Sequence, residues 1–203
     1  MTGSVTPLER SLENGAARAT PLDALRLAQE ALLSGDTIDM GALAARLGLS
    51  RATLYRWVGS KERLLGEVLW SLAADAMDTA VAEARGSGPE FVAEVIERYM
   101  NAALAFEPLW RFVARDPEYA LKVIASRHSP MQRRSIAAVH RVLEQQASAG
   151  AIEPALALDS LAYLIVRIVE SFLYTDVITG GEPDVGAAAD AVRALLSAPP
   201  VKR

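Results

Sequence analysis

Apolar residues recur at helical spacing along most of this chain, and short polar, Gly or Pro segments cut the pattern into lengths. Thr20-Pro21-Leu22-Asp23 reads as a helix start: Thr caps, Pro takes the first helical position and Asp lies three past the cap. Leu22, Leu25, Ala28 and Leu32 then line one face, and Gly35-Asp36 ends the helix. Asp39 caps a second short helix with Leu43 and Leu47 turned inward. Gly48 turns the chain, Ser50 caps a third helix, and Ser60 caps a long fourth one. The fourth carries apolar pairs at Leu64/Leu65, Val68/Leu69, Leu72/Ala73 and Ala76/Met77. Gly86-Ser87-Gly88-Pro89 breaks the pattern, which resumes at Phe91/Val92, Val95/Ile96, Tyr99/Met100 and Ala103/Leu104.

Further on, Pro108 interrupts, and Asp116-Pro117 and Ser129-Pro130 each read as a cap followed by a first-turn Pro. Helices are expected over 117–127, 130–149 and 156–178, with Gly150 and Pro154 between the last two. Gly180-Gly181-Glu182-Pro183 makes a turn before a final Ala-rich helix over 184–197. No segment alternates as a strand would. The expected fold is all-α. A flexible arm (1–19) precedes a three-helix unit with a helix-turn-helix (20–66). The long fourth helix then leads into a helical ligand-binding and dimerisation half (67–203).

Residues 39–65, DMGALAARLGLSRATLYRWVGSKERLL, carry the strongest chemical signal. Two short helices around a Gly turn are the pattern of a helix-turn-helix, whose second helix enters the major groove. That second helix holds Arg51, Thr53, Tyr55, Arg56 and Trp57, and Lys61 follows one turn later. Such donors and aromatics reach phosphates and base edges. The chain of 203 residues has a net charge of −4, so any contact with nucleic acid must be local. A local patch exists: between residues 46 and 63, Arg46, Arg51, Arg56, Lys61 and Arg63 stand against Glu62 alone.

The segment LAARLGLSRATLYRWVGSKERLL resembles the DNA-binding domain of TetR/AcrR-type transcriptional regulators. Leu43, Ala44, Leu47, Gly48, Leu49, Ser50, Ala52, Thr53, Leu54, Tyr55, Trp57, Val58, Ser60, Lys61 and Leu64 stand where that pattern places them. The likeness covers about residues 20–70. A looser likeness over 39–73 points to the QsdR-type subgroup, which is linked to lactone degradation. Two positions depart from the family. Trp57 stands where His or Tyr is usual, and an indole N–H can donate but not accept. Val58 replaces a frequent Phe. The resemblance implies that Ser50, Arg51, Thr53, Tyr55, Arg56, Trp57 and Lys61 face double-stranded operator DNA. Ser50 also exposes the N–H groups of the helix start to a phosphate. Arg51 suits guanine as well as phosphate, and packing competes as a role for Tyr55.

The other half is less explicit. Tyr99, Trp110, Tyr163, Arg167, Glu170 and Tyr174 are the polar-tipped candidates for a ligand pocket, although aromatics on helices are mostly core. Tyr163, Arg167, Glu170 and Tyr174 step by helical intervals along the most apolar helix, and Arg167 with Glu170 also fits a plain ion pair. The expected effector is a mostly apolar small molecule, with a lactone or acyl compound suggested by the subgroup likeness. The last two helices are the expected homodimer seam, with burial inside one subunit as the competing role for both. His128 and His140 lack companions at metal spacing, and no cofactor motif is present. No cysteine occurs, the N-terminus lacks the apolar core of a signal peptide, and LALDSLAYLIVRIVESFLYTDVI is too charged to span a membrane. These features point to the cytoplasm. The expected function is a ligand-responsive homodimeric regulator, as a repressor by family likeness, and not an enzyme. The alternative is a helical carrier or enzyme with a vestigial DNA-binding domain; no G-x-S-x-G, S-x-x-K, H-E-x-x-H or P-loop supports catalysis.

Overall fold

Three capped helices form the N-terminal unit of the computed structural model, which describes residues 19–126 and 128–199. They are α1 (Pro21–Leu33), α2 (Met40–Arg46) and α3 (Arg51–Val58). Thr20 and Asp23 make a reciprocal capping box, in which the Thr20 N–H donates to Asp23 Oδ2 at 2.9 Å. Asp39 accepts the Ala42 N–H at 2.7 Å and Ser50 accepts the Thr53 N–H at 3.1 Å, so the starts of α2 and α3 are fixed by their own side chains. Gly48 turns between them with φ +66°, a conformation that costs a side-chain-bearing residue energy even though a Cβ there would meet open space. Ala24, Leu27, Ala28 and Leu32 of α1 close over Leu43, Ala44 and Leu54.

One apolar position of α1 does not follow its expected face. Leu22 is 74% exposed, and the inward stripe is Ala24, Leu27, Ala28 and Leu32. Leu22 sits in the first turn, beyond the partners that α2 to α4 supply. The arm expected over residues 1–19 lies outside the described residues, apart from Ala19.

The fourth helix, α4 (Lys61–Glu83), is 23 residues long, about 34 Å at the usual rise. Its first half buries Leu64, Leu65, Val68 and Leu69, and its later turns bury Met77 and Ala80. Helix α1 packs on it, tied by the Gln29 side chain donating to Ser71 Oγ at 2.6 Å. The remaining helices are α5 (Gly88–Ala105), α6 (Glu107–Arg115), α7 (Pro117–Ala125), α8 (Pro130–Ser148), α9 (Leu158–Leu173), α10 (Thr175–Thr179) and α11 (Val185–Ser197). Asp116 and Ser129 cap α7 and α8 through the N–H groups of Tyr119 and Met131. Helix α5 packs between α4 and α11, while α8 packs on α4 and α9. Gly66 allows α4 and α8 to meet: a Cβ there would lie 2.8 Å from Pro130 Cδ.

The segment expected as one helix over 156–178 is two. Helix α9 stops at Leu173, Tyr174 leaves helical geometry at φ −105° and ψ 25°, and a single turn follows. Helix α11 buries Ala188, Ala189, Val192 and Leu196 within the subunit, against α5 and α9. The opposite side of α9 leaves Leu164, 36% exposed, and Tyr163 uncovered, and Leu156 just before the helix is also exposed.

Candidate nucleic-acid interface and sensor cavity

Helix α3 is anchored chiefly by Leu54, with half-buried Val58 packed beside it. Leu54 is its sole buried residue, fully enclosed beneath α1 and α2. Arg51, Tyr55 and Arg56 are exposed, while Thr53, Trp57 and Val58 are half-buried. Ser50 Oγ and Thr53 Oγ1 lie 3.0 Å apart at the helix start. The Arg51 guanidinium folds against Gly41, where any Cβ would collide with it. Gly41 is therefore a further partner of the site, and its place in the first turn of α2 is the only local sign of it.

Lys61 opens α4 within the field of the same group. The Asp39 carboxyl is held below its ordinary range, first by the Ala42 N–H and also by the charges of Arg51 and Lys61. Among the described residues, Arg51, Arg56, Lys61 and Arg63 belong to no ion pair. Arg46 is different: it reaches Glu30 at 3.5 Å. The structure thus brings the predicted DNA-contacting residues onto one small unit with four cations outside any ion pair, a surface whose charge suits phosphate.

A two-chambered cavity lies in the other half. The outer chamber, about 270 Å³, is walled by Leu69, Leu72 and Ala76 of α4, Ala103 of α5, Phe106 and Leu109. The inner chamber, about 30 Å³, is walled by Met77, Ile96, Ser135, Val139, Val166 and Glu170. Tyr99, Ile124, Met131, Leu173 and Tyr174 line both, so the chambers adjoin.

The six candidate pocket residues separate into three groups. Tyr99, Glu170 and Tyr174 are on the wall. Trp110 and Arg167 stand behind it. The Trp110 indole N–H donates to the Ala103 carbonyl at 2.9 Å, and its ring lies 5.8 Å from that of Tyr174. Arg167 bonds Glu170 Oε2 and donates to Gln132 Oε1 at 2.8 Å. Tyr163 is a correction: it is 49% exposed and lines neither chamber, with the Arg167 guanidinium 5.7 Å from its ring centre. The shared helical face fails as a guide because the chambers border only the C-terminal half of α9, Val166 to Leu173, and Tyr163 lies about a turn before it.

Burial pushes the Glu170 carboxyl up to about 7, against the opposing pull of Arg167. Burial also raises the Tyr99 phenol to about 12 and drives Tyr174 upward. A carboxyl whose folded pKa is raised binds its proton more tightly in the folded protein than in the unfolded chain. Stability should therefore fall as pH rises from about 4.5 towards 7, the window set by the ordinary and the raised values. The expected contribution is on the order of 1–3 kcal/mol. Urea unfolding of wild type and Glu170→Gln below and above this window checks it. The variant should lose that part of the slope, and identical slopes would contradict the buried placement of the carboxyl.

A third feature joins the halves. Arg111 of α6 donates to the Leu33 carbonyl at 3.1 Å, and Arg115 donates to the Gly35 carbonyl and Thr37 Oγ1, both at 2.8 Å. Helix α6 thus grips the C-terminal end of α1, while Phe106 and Leu109 at its other end line the cavity. Sequence gave no sign of these pairings, which span 78 to 80 residues.

A three-helix unit with an exposed, basic third helix, carried on a helical body with an apolar cavity, is the layout of a DNA-binding regulator. Residues 87–197 match the family described as Tetracyclin repressor-like, C-terminal domain. The solved structure of QsdR, a TetR-family transcriptional repressor of R. erythropolis, is 30% identical, covers 91% of this chain and 100% of its own, and superposes with a TM-score of 0.83. The chain belongs to the TetR family of transcriptional regulators. The fold is shared by the TetR-family repressor AlkX from Dietzia sp., 20% identical with a TM-score of 0.59 over 89% of this chain and 96% of that one. It is shared also by a TetR-family regulator from Pectobacterium atrosepticum, 23% identical with a TM-score of 0.54, covering 96% and 99%. Comparison with curated proteins finds no significant sequence match. These relatives are regulators rather than enzymes. No cluster of metal-binding side chains occurs among the described residues, and no helix among them is long and apolar enough to cross a membrane.

Proposed function

We propose that this protein is a homodimeric repressor in the cytoplasm that leaves its operator when a mostly apolar small molecule fills the cavity. The observation that carries the reading is the set of unpaired cations Arg51, Arg56, Lys61 and Arg63 around an α3 that buries only Leu54. Ser50, Arg51 and Thr53 at the start of α3 enter the major groove, and Tyr55, Arg56, Trp57 and Lys61 hold phosphates on either side. Two copies related by a two-fold axis place two such helices on half-sites one turn of DNA apart, or a multiple of it.

The dimer forms through α9 and α11. Tyr163 and Leu164 give α9 an uncovered apolar strip on the side away from its own core. Effector binding acts through α6. A molecule in the outer chamber presses on Phe106 and Leu109, and α6 carries the displacement through Arg111 and Arg115 to the end of α1. The effector favours the conformation with the wrong half-site spacing, which is allostery expressed as differential affinity.

A gel shift with the DNA flanking its own gene tests the reading, alongside light scattering. The expected result is a discrete complex from a dimeric protein. A protein that binds no flanking segment above its affinity for unrelated DNA would refute it.

A further inference from the structure

The inner chamber holds more hydrogen-bonding capacity than the protein uses. Glu170 bonds only Arg167, through Oε2, so its second oxygen has no protein donor. Tyr174 is 3% exposed, yet its hydroxyl has no hydrogen-bond partner in the protein, and neither has that of Tyr99. The Ser135 hydroxyl, also on the wall, is likewise unengaged. These groups border the open space of the chamber, where a bound molecule can pair with them; behind them Arg167 Nε is the one buried side-chain nitrogen or oxygen without a partner among the described residues. Apolar side chains dominate the rest of both chambers.

Charge narrows the partner's chemistry. Glu170 is the sole charged side chain among the residues that line the two chambers. The nearest cation, Arg167, lines neither chamber; its Nη2 bonds Glu170 and Gln132, so its charge already serves that carboxylate, although its buried Nε has no partner. An anionic head would meet a carboxylate with no free cation to balance it. A cationic head would add a third charge to a pair that is already neutral, and leave the cluster with net charge in an apolar cavity. A neutral head that both donates and accepts avoids both costs. It can donate to the free Glu170 oxygen and accept from the phenols.

Size sets the orientation. At about 30 Å³ the inner chamber takes a few heavy atoms, since a single water needs about 10–15 Å³ on this measure. The outer chamber is nine times larger and apolar, suited to a hydrocarbon tail. We infer that the effector is an uncharged amphiphile, its amide- or hydroxyl-bearing head seated between Glu170, Tyr99 and Tyr174 and its chain lying along α4 towards Phe106. This rests on the reading above that the cavity takes the effector.

Matched headgroup series test it by titration calorimetry on the full-length protein at about pH 8, above the raised carboxyl value. The probes are hexanamide, octanamide and decanamide, with the corresponding carboxylates, primary alkylamines and methyl esters. The amides should bind best, by about tenfold over the carboxylates of equal length, the scale of one buried charged hydrogen bond. Glu170→Gln should weaken amide binding by about five- to tenfold and narrow the gap to the carboxylates. Methyl ester binding should stay unchanged, because the ester has no hydrogen to donate. A purely structural effect of the substitution would weaken all four series together. Tyr174→Phe, which keeps the ring beside Trp110, should weaken the amides by a few-fold.

The assignment is overturned if carboxylates or amines bind more tightly than amides, if Glu170→Gln leaves the gap between amides and carboxylates unchanged, or if no amide binds a protein that still holds its operator. These outcomes leave the regulator reading standing. That reading fails separately, in the DNA-binding assay.

Discussion

Truncation after Gly180 is expected to unfold the sensor half rather than release well-behaved monomers. Helix α11 buries Val192 completely and Leu196 to 6% exposure, together with Ala188 and Ala189, against α5 and α9 of the same chain. Burying a Val or Leu side chain contributes about 1.5–3 kcal/mol, and the newly exposed faces of α5 and α9 lose a comparable cover. A domain stable by only about 5–15 kcal/mol does not survive that loss. The exposed Arg193 to Glu90 contact at 2.6 Å adds little to it. Circular dichroism and light scattering should show lost helix and aggregation. A cooperative, soluble species of the truncated chain would mean that α11 serves the seam alone.

Leu54→Ala should produce the largest single-residue loss of DNA binding without touching a DNA-facing atom. Leu54 is fully buried and is the main side chain that pins α3 to α1 and α2, with half-buried Val58 beside it. Removing its branch leaves a cavity in a small core, at a cost of about 2–5 kcal/mol. The DNA-binding unit should melt earlier in a thermal scan and operator affinity should fall by more than about tenfold, while calorimetry still detects ligand in the cavity. Wild-type melting and operator affinity together would show that α3 is held by something other than this contact.

Local signals carried the DNA-binding unit. The caps at Thr20, Asp39, Ser50 and Ser60 each act through their own helix, so a few adjacent residues suffice to fix the start. The Gly48 turn is equally local. Leu22 misled because periodicity marks a face without saying how far the partner extends. The pocket was legible only in part. Glu170 stood out as a charge on an apolar helix, but the interruption at Tyr174 has no Gly or Pro to announce it. Tyr163 stayed exposed for a different reason, since the cavity reaches only the C-terminal half of α9 and a shared face does not say how far along a helix its partner extends. Small residues in α11 correctly signalled close approach, yet two partners could accept it, and the structure places α5 there. Arg111 and Arg115 grip backbone carbonyls, and a carbonyl carries no side-chain identity for a sequence pattern to reveal.

The central claim is that α3 and the start of α4 form the DNA-contacting surface, and the salt dependence of binding tests it most directly. Fluorescence anisotropy with the operator and with unrelated DNA, over a range of salt, should be run for wild type, Lys61→Ala and Arg51→Ala. Lys61→Ala should weaken both DNAs alike and lower the log–log salt slope by about one unit, as loss of one phosphate contact requires. Arg51→Ala should cost about 1–3 kcal/mol on the operator and relax preference at one or two base positions. If both variants bind the operator as tightly as wild type at every salt concentration, the surface lies elsewhere and the account is wrong.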